Sequence, residues 1–347
     1  MKILYAIQGT GNGHICRAKE IIPYLQKYGD LDILVSGIQS DIALPFEVTY
    51  AFKGMSFVFG KKGGIDLLNT YVKNHINTFM KEVKSLPVEK YDLVINDFEP
   101  ISAWASYLKN SNCVALSNQC AIRSHAIPKP KSEDFIGKFI INHYAPSTAE
   151  YGFHYQPYAP HIFTPIIRKE VREMQKENLG HYTVYLPAFD SKNLIKKLSL
   201  IKEVKWEVFA KNCKERISHD NVEVYPIQSN LFMKSMATSA GVLSAAGFGT
   251  TSEALFLKKK LLVIPQKQQY EQQCNALALK KLSVPIIKNL RKKNLLKIQA
   301  WIREEQNIEV NFPDQTELII DTIINNEFHH KDNYLDYLTS NQFNTAD

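Results

Sequence analysis

Residues 244–279 spell out a full loop–helix–strand–loop–helix unit, S-A-A-G-F-G-T-T-S-E-A-L-F-L-K-K-K-L-L-V-I-P-Q-K-Q-Q-Y-E-Q-Q-C-N-A-L-A-L. A loop of small residues carries Gly247 and Gly249 and opens onto a helix start at Thr250-Thr251-Ser252-Glu253. A basic turn, Lys258 to Lys260, leads into the apolar run Leu261 to Ile264, which stops at Pro265. A polar loop then feeds a second helix through Glu271, Gln272 and Asn275. A short apolar run between two helical patterns reads as a strand buried on both faces, which places the chain among α/β architectures with a parallel sheet. The unit also suits an anion. Glycines ahead of a helix let backbone N–H groups approach it, and the helix dipole favours negative charge there. A nucleotide diphosphate fits such a place, and the carboxylate and amides downstream suit the hydroxyls of ribose and a hexose.

The same alternation runs through both halves. In the first, strands are expected at Ile3–Ile7, Leu31–Val35, Val48–Phe52, Tyr91–Asn96 and Cys113–Leu116. Helices are expected over Ile15–Leu25 (bent by Pro23), Thr70–Lys84 and Ala103–Leu108. From Ala126 to Arg172 prolines and aromatics cluster, which reads as active-site loops followed by an inter-domain connection. The second half restarts with strands at Tyr182–Leu186, Trp206–Phe209, Val222–Tyr225 and Ala240–Leu243, and helices at Asn193–Leu200 and Leu231–Met236. At 347 residues two domains have room for cores of their own. The expected division is 1–165, 166–325 and a tail, 326–347, that either crosses back to the first domain as a helix or frays.

Composition excludes several classes. With 45% hydrophobic and 22% charged residues the chain is an ordinary globular protein. The surplus of 42 Lys+Arg over 35 Asp+Glu, a net +7, suits an anionic substrate or membrane surface, while the scatter of basic residues gives no nucleic-acid signature. Five widely spaced cysteines without C-x-x-C indicate neither zinc nor a disulfide framework and read as reduced thiols. The N-terminal apolar run is too short for a signal peptide, and no stretch approaches a spanning helix. The expectation is a cytoplasmic protein with peripheral membrane contact open to it.

After the first strand comes Gln8-Gly9-Thr10-Gly11-Asn12-Gly13-His14. A dinucleotide fingerprint would place a third glycine where His14 stands and an acid after the second strand, where Val35 is followed by Ser36-Gly37. NAD is therefore not expected. Asp97 and Glu99 follow a strand, where open sheets bind ligands. Asp97 also suits a turn before Pro100. Asn118-Gln119 and Arg123-Ser124-His125 share that sheet edge as candidate acceptor contacts or ordinary loop residues.

Residues 8–14 and 244–279 together resemble the GT-B glycosyltransferases, closest to the MurG-like enzymes that use UDP-N-acetylglucosamine, with the plant-type and macrolide UDP-glycosyltransferases sharing the pattern. The resemblance implies two Rossmann-like domains facing across a cleft, with acceptor on the first and UDP-sugar on the second. It makes His14 the base, beside which Asp97, from its place after a strand, could orient His14 or act as base itself, and it makes Gly11, Asn12 and Gly13 part of the acceptor and diphosphate loop. It places Gly247, Gly249, Thr250 and Thr251 on the donor diphosphate, Glu253 on ribose, Glu271 and Gln272 on the sugar, and Ile227 by the uracil. Glu253 has a rival reading, since Thr250 to Glu253 spells a capping box. His14 has one too, as a helix-start or loop contact. A second glycine loop, expected after the first strand of the donor domain, is replaced by Leu186-Pro187-Ala188-Phe189-Asp190-Ser191, where Ser191 at a helix start suits phosphate.

The reading is an inverting hexosyl or N-acetylhexosaminyl transferase that needs no cofactor and, in keeping with the GT-B resemblance, no metal. Its acceptor is a hydroxyl, open to being lipid-linked, in cell-envelope polysaccharide or glycolipid synthesis. The loop from Phe52 to Ile65 mixes apolar and basic residues in a way that suits a membrane. The alternatives are a UDP-N-acetylglucosamine 2-epimerase-like isomerase and a non-catalytic sugar-nucleotide-binding partner subunit.

Overall fold

The computed structural model describes residues 1–37, 43–55, 71–131, 134–211 and 213–329, apart from the side chains of 71–75 and 329. Residues 56–65 of the apolar-basic loop, and 330–347 of the tail, lie outside the described residues.

The N-terminal half runs β1 (Lys2–Gln8), α1 (Asn12–Leu25), β2 (Asp30–Ser36), β3 (Tyr50–Phe52), α2 (Tyr71–Ser85), β4 (Leu93–Asp97), α3 (Pro100–Leu108), β5 (Cys113–Ser117), α4 (Asn118–Arg123), α5 (Phe135–His143), β6 (Ala149–Phe153) and β7 (Ile162–Phe163). Its seven strands are all parallel, in the order β3-β2-β1-β4-β5-β6-β7. Parallel strands buried on both faces need apolar residues at successive positions. In β1, Ile3, Tyr5 and Ile7 join one core, and Leu4 and Ala6 join the core on the other face. Ile7 pairs with Asp97, so the loop after β1 and the end of β4 leave the sheet side by side.

The C-terminal half runs α6 (Lys169–Arg172), β8 (His181–Tyr185), α7 (Ser191–Leu198), β9 (Lys205–Ala210), β10 (Ile217–His219), β11 (Val222–Pro226), α8 (Ser229–Thr238), β12 (Gly241–Ser244), α9 (Phe248–Phe256), β13 (Lys260–Val263), α10 (Tyr270–Lys281), α11 (Lys292–Arg303) and α12 (Thr316–Ile324). Strand order is β10-β11-β9-β8-β12-β13, parallel except for the antiparallel β10–β11 edge. Ser244 pairs with both Tyr185 and Val263, so the small-residue loop leaves the carboxyl edge between β8 and β13.

Two expectations need correcting. The proline-rich stretch 126–172 is not simply loop, because it contributes α5 and the strands β6 and β7. Its prolines fall between these elements, and Tyr151, Phe153 and Ile162 are buried. The helix that returns to the first domain starts earlier than residue 326. It is α12, whose Ile319, Ile320, Ile323 and Ile324 are buried in the same core as Ile21, Ile22 and Leu25 of α1. Each such side chain contributes roughly 1.5–3 kcal/mol. Lys27–Glu317 and a bond from the Tyr28 hydroxyl to Asp321 pin its outer edge. Pro23 does not end α1, which runs through it to Leu25.

Candidate active site

The loop after β1 is shaped by close approach to β2. Gly9 N–H donates to the Ser36 carbonyl at 2.6 Å, and a Cβ on Gly9 would lie 2.9 Å from Val35 Cγ1. Gly11, at φ +98°, turns the chain into α1 without a side-chain cap. Asn12 and Gly13, in the first turn, line the cleft.

His14 Nδ1 lies 2.8 Å from Asp97 Oδ1. Arg17, one helical turn on, grips the same carboxylate with both arms, Nη2 to Oδ1 at 2.5 Å and Nε to Oδ2 at 3.0 Å. Burial alone would push the Asp97 carboxyl up, but Arg17 and then His14 outweigh it and hold the group below its usual range. Asp97 is therefore an anion, and it accepts from the His14 Nδ1–H. Arg17 Nη2, which gives one hydrogen to Asp97, also sits 3.1 Å from Nδ1, but the anionic carboxylate at 2.8 Å is the stronger partner of that nitrogen as a donor. Gln119 Nε2, 3.5 Å from His14 Nε2, faces that nitrogen with a donor. The Asp97 and Gln119 contacts together assign the proton to Nδ1 and the lone pair to Nε2.

The β4 exit separates Asp97 from Glu99. Phe98 adopts φ +54°, a left-handed turn rare for a bulky residue. Asp97 is thereby turned to α1, and Glu99 into α3, where it accepts from Ile101 N–H at 2.7 Å and Ser102 N–H at 2.6 Å. Glu99 is a buried helix cap, its carboxyl pushed up by burial. Asp97 is fully buried as well, with both oxygens engaged.

On the opposite wall, α9 begins at Phe248 with Gly247 as N-cap. This is earlier than the expected start at Thr250, so the capping box does not form. Glu253 lies in the helix interior and pairs with Arg168 through both oxygens, at 2.6 and 2.7 Å. Arg168 also donates to Ser229 Oγ at 3.1 Å. Burial opposes the Arg168 charge, and Glu253 more than offsets it. Gly249 and Thr250 line the cleft, but Thr251 does not: its hydroxyl is buried between the Gly247 carbonyl and the Tyr155 hydroxyl, at 2.8 and 2.7 Å. Ile227 lies on an apolar wall with Tyr185 and Phe232, whose rings are 5.4 Å apart. Ser191 is the first residue of α7, capped by Asp190, and is not among the cleft-lining residues.

The two walls meet at α10. Gln119 Nε2 donates to Glu271 Oε2 at 3.0 Å, bridging the domains. Burial pushes the Glu271 carboxyl up, against the opposing pull of His14 and Gln119. Gln272 Oε1 accepts from the Gln266 N–H at 3.0 Å, which fixes the loop feeding α10. Asn275 Nδ2 donates to the Ala246 carbonyl at 3.1 Å and ties α10 to the glycine loop. Gln119 Oε1 and Asn275 Oδ1 are buried without a partner. Acceptors left open in this way suit the hydroxyls of a bound ligand.

The sequence reading missed Arg17 and Arg168. Arg17 was findable, since its spacing from His14 puts both on one helix face. Arg168 follows Pro165 in an inter-domain connection, where no periodicity signals that an ion pair closes with a helix 85 residues on.

Residues 1–304 match the family model of glycosyl transferase family 1. No curated protein matches the chain. Among solved structures, MurG of Acinetobacter baumannii is similar at 14% identity and TM-score 0.53, over 93% of this chain and 98% of that one. Arabidopsis thaliana UGT89C1, solved with UDP, is similar at 11% and 0.53, over 92% of each. A UDP-N-acetylglucosamine 2-epimerase is similar at 14% and 0.50, over 95% and 97%. At such identities the likeness speaks for the fold alone, which these structures share with the two sheets described above. The family match runs through both domains, and on it the chain belongs to glycosyl transferase family 1, a glycosyltransferase of GT-B fold.

Proposed function

We propose that the protein transfers a hexose or N-acetylhexosamine from a UDP-sugar to a hydroxyl acceptor, with inversion and without a metal. The observation that carries this reading is the His14 imidazole. It is oriented through Nδ1 by an anionic Asp97 and turns Nε2 toward the residues that bridge to Glu271. An acceptor hydroxyl on that nitrogen gives up its proton as its oxygen attacks the anomeric carbon. Asp97 orients the ring and stabilises the imidazolium, while its burial keeps it from the acceptor.

The donor lies along the C-terminal wall. Its uracil packs near Ile227 and Phe232, its ribose is read near Glu253, and its diphosphate meets the α9 start at Gly247, Gly249 and Thr250. Backbone N–H groups and the helix dipole stabilise the leaving UDP where other architectures use a metal. Glu271, Gln272 and Asn275 take the sugar hydroxyls. Glu253 is already held by Arg168, so it offers ribose its remaining lone pairs. The same reading takes the acceptor from cell-envelope polysaccharide or glycolipid synthesis.

The test is calorimetric titration with UDP and UDP-hexoses with and without EDTA, followed by NMR of the sugar released on slow hydrolysis. Binding that survives EDTA, with a β-hexose released from an α-linked donor, supports the reading. No affinity for uridine nucleotides overturns it. Conversion of a UDP-N-acetylhexosamine to its C2 epimer would point to the isomerase instead.

A further inference from the structure

The helix α5 presents an apolar face to solvent. Phe135, Ile136 and Phe139 are 68%, 54% and 65% exposed, three large hydrophobic side chains in a nine-residue helix. Their spacing, with the His143 ring tilted against Phe139 at 4.6 Å, makes one continuous stripe along the helix. The opposite face is spoken for, since Ile141 is buried with Ile122, Tyr270 and Cys274. Lys138 is exposed on the same helix, and Lys131, His125 and His143 are exposed as well, while Asp134 caps the helix through the Gly137 N–H.

We propose that α5 is a docking surface for an anionic lipid bilayer, lying in the membrane plane with Phe135, Ile136 and Phe139 among the acyl chains and Lys131 and Lys138 among the headgroups. Apolar residues rimmed by cations are the pattern of interfacial helices. Nine residues span about 14 Å, less than half of a hydrocarbon core, so the helix lies on the bilayer rather than across it. A second copy of the chain is a poorer occupant. The three side chains expose on the order of 350 Å², against about 800 Å² per partner in a stable interface. A two-fold pairing would also set the lysines against their own copies.

The surface is coupled to the cleft where the α5 backbone meets the Tyr270 side chain. A Cβ on Gly137 would lie 2.4 Å from Tyr270 Cβ, so α5 rests directly on the first residue of α10, next to Glu271. Docking would hold the cleft mouth at the bilayer, where a lipid-linked hydroxyl is within reach. That consequence rests on the transferase reading, whereas the docking itself does not.

The test is co-sedimentation of the full chain with vesicles of phosphatidylcholine alone and with 30% phosphatidylglycerol, no nucleotide present. The wild type should bind the anionic vesicles. Phe135→Ser/Phe139→Ser should lower partitioning about 100-fold, and Lys131→Gln/Lys138→Gln about tenfold with loss of the anionic preference. Thermal melting and UDP titration of the same variants separate this result from misfolding and from failure of the donor site. The proposal is overturned if the wild type ignores both vesicle types or if the Phe variant binds like the wild type. It is equally overturned if light scattering shows a dimer that the Phe substitutions dissociate, which would make α5 an interface between copies.

Discussion

Gln119, on the N-terminal domain, donates to Glu271, on the C-terminal domain, across 3.0 Å, and the same amide nitrogen sits 3.5 Å from His14 Nε2. One NH2 group thus joins the nitrogen that would take a proton to the carboxyl that would hold the donor sugar. Its two hydrogens point to the two partners. Direct displacement needs acceptor oxygen and anomeric carbon about 3–3.5 Å apart. A bridge this short between the walls sets that scale, and in the complex substrate would take the place of the amide contacts.

If Asp97 acts through His14 rather than on the acceptor, the two substitutions should not add. His14→Ala is expected to lower kcat by about 10²–10⁴-fold, and Asp97→Asn by a comparable factor through loss of ring orientation. His14→Ala/Asp97→Asn should then be no slower than His14→Ala alone, because residues acting as a unit are non-additive. Steady-state kinetics on the four proteins decide it. A multiplicative double variant would make Asp97 an independent base.

Arg17 sets the acid sensitivity of the dyad. Held below its ordinary value in the folded state, the Asp97 carboxyl gives stability that is fully present above the unfolded value of about 3.9 and is lost as pH falls through the folded one. Arg17→Met removes the largest opposing influence and leaves only His14 against burial, so the carboxyl rises relative to wild type. The stability that this site gains as pH rises is then reduced. Urea unfolding of both proteins from pH 3 to 7 should show a difference that widens with pH, reaching roughly 3–5 kcal/mol at neutrality for a broken buried pair. Parallel curves would mean that Arg17 does not govern Asp97. Glu99, on which Arg17 does not act, cancels in the difference, and Glu271, which Arg17 also holds down, rises in the variant and widens the difference in the same direction.

The architecture was legible because parallel strands advertise themselves as apolar runs, as in β1, β4 and β13, and because glycines mark the loops after β1 and β12. The stretch from 126 to 172 hid β6 and β7 because β7 is a two-residue edge strand and β6 interrupts its apolar run with Glu150 and Gly152. The start of α9 was misplaced because Thr250-Thr251-Ser252-Glu253 is a good local cap, while the chain uses Gly247 and spends Glu253 on a tertiary ion pair. Local signals carried the strand ends where His14 and Asp97 stand. They could not carry Arg168–Glu253 or Gln119–Glu271, whose partners meet only when the domains pack.

The Arg168–Glu253 pair separates stability from recognition. Glu253→Ala leaves a buried guanidinium with only Ser229 and should cost about 3–5 kcal/mol, whereas Arg168→Met/Glu253→Met should fall within about 1–2 kcal/mol of wild type. If Glu253 also reads ribose, the stable double variant should lose about tenfold in UDP affinity, with 2′-deoxy-UDP bound equally by both proteins. Urea melts and calorimetry report the two effects separately. Unchanged UDP affinity in the double variant would leave Glu253 a purely structural partner of Arg168.

Glu271 tests the sugar end of the same wall. Its Oε2 is held by Gln119 and its Oε1 lies 3.5 Å from Asn275 Nδ2, so Glu271→Gln keeps the shape while removing the acceptor-only charge. UDP, which carries no sugar, should bind the variant within twofold of wild type. A UDP-hexose should lose about 10–100-fold, because a buried site built to accept hydroxyl hydrogens discriminates strongly once an acceptor becomes a donor. Gln119→Leu should spare UDP in the same way and raise KM for the UDP-hexose, since it removes the bridge that holds Glu271 against the N-terminal domain. Calorimetry with UDP beside UDP-hexose reads the contrast directly. Equal losses for both ligands would move Glu271 from sugar recognition to maintenance of the cleft.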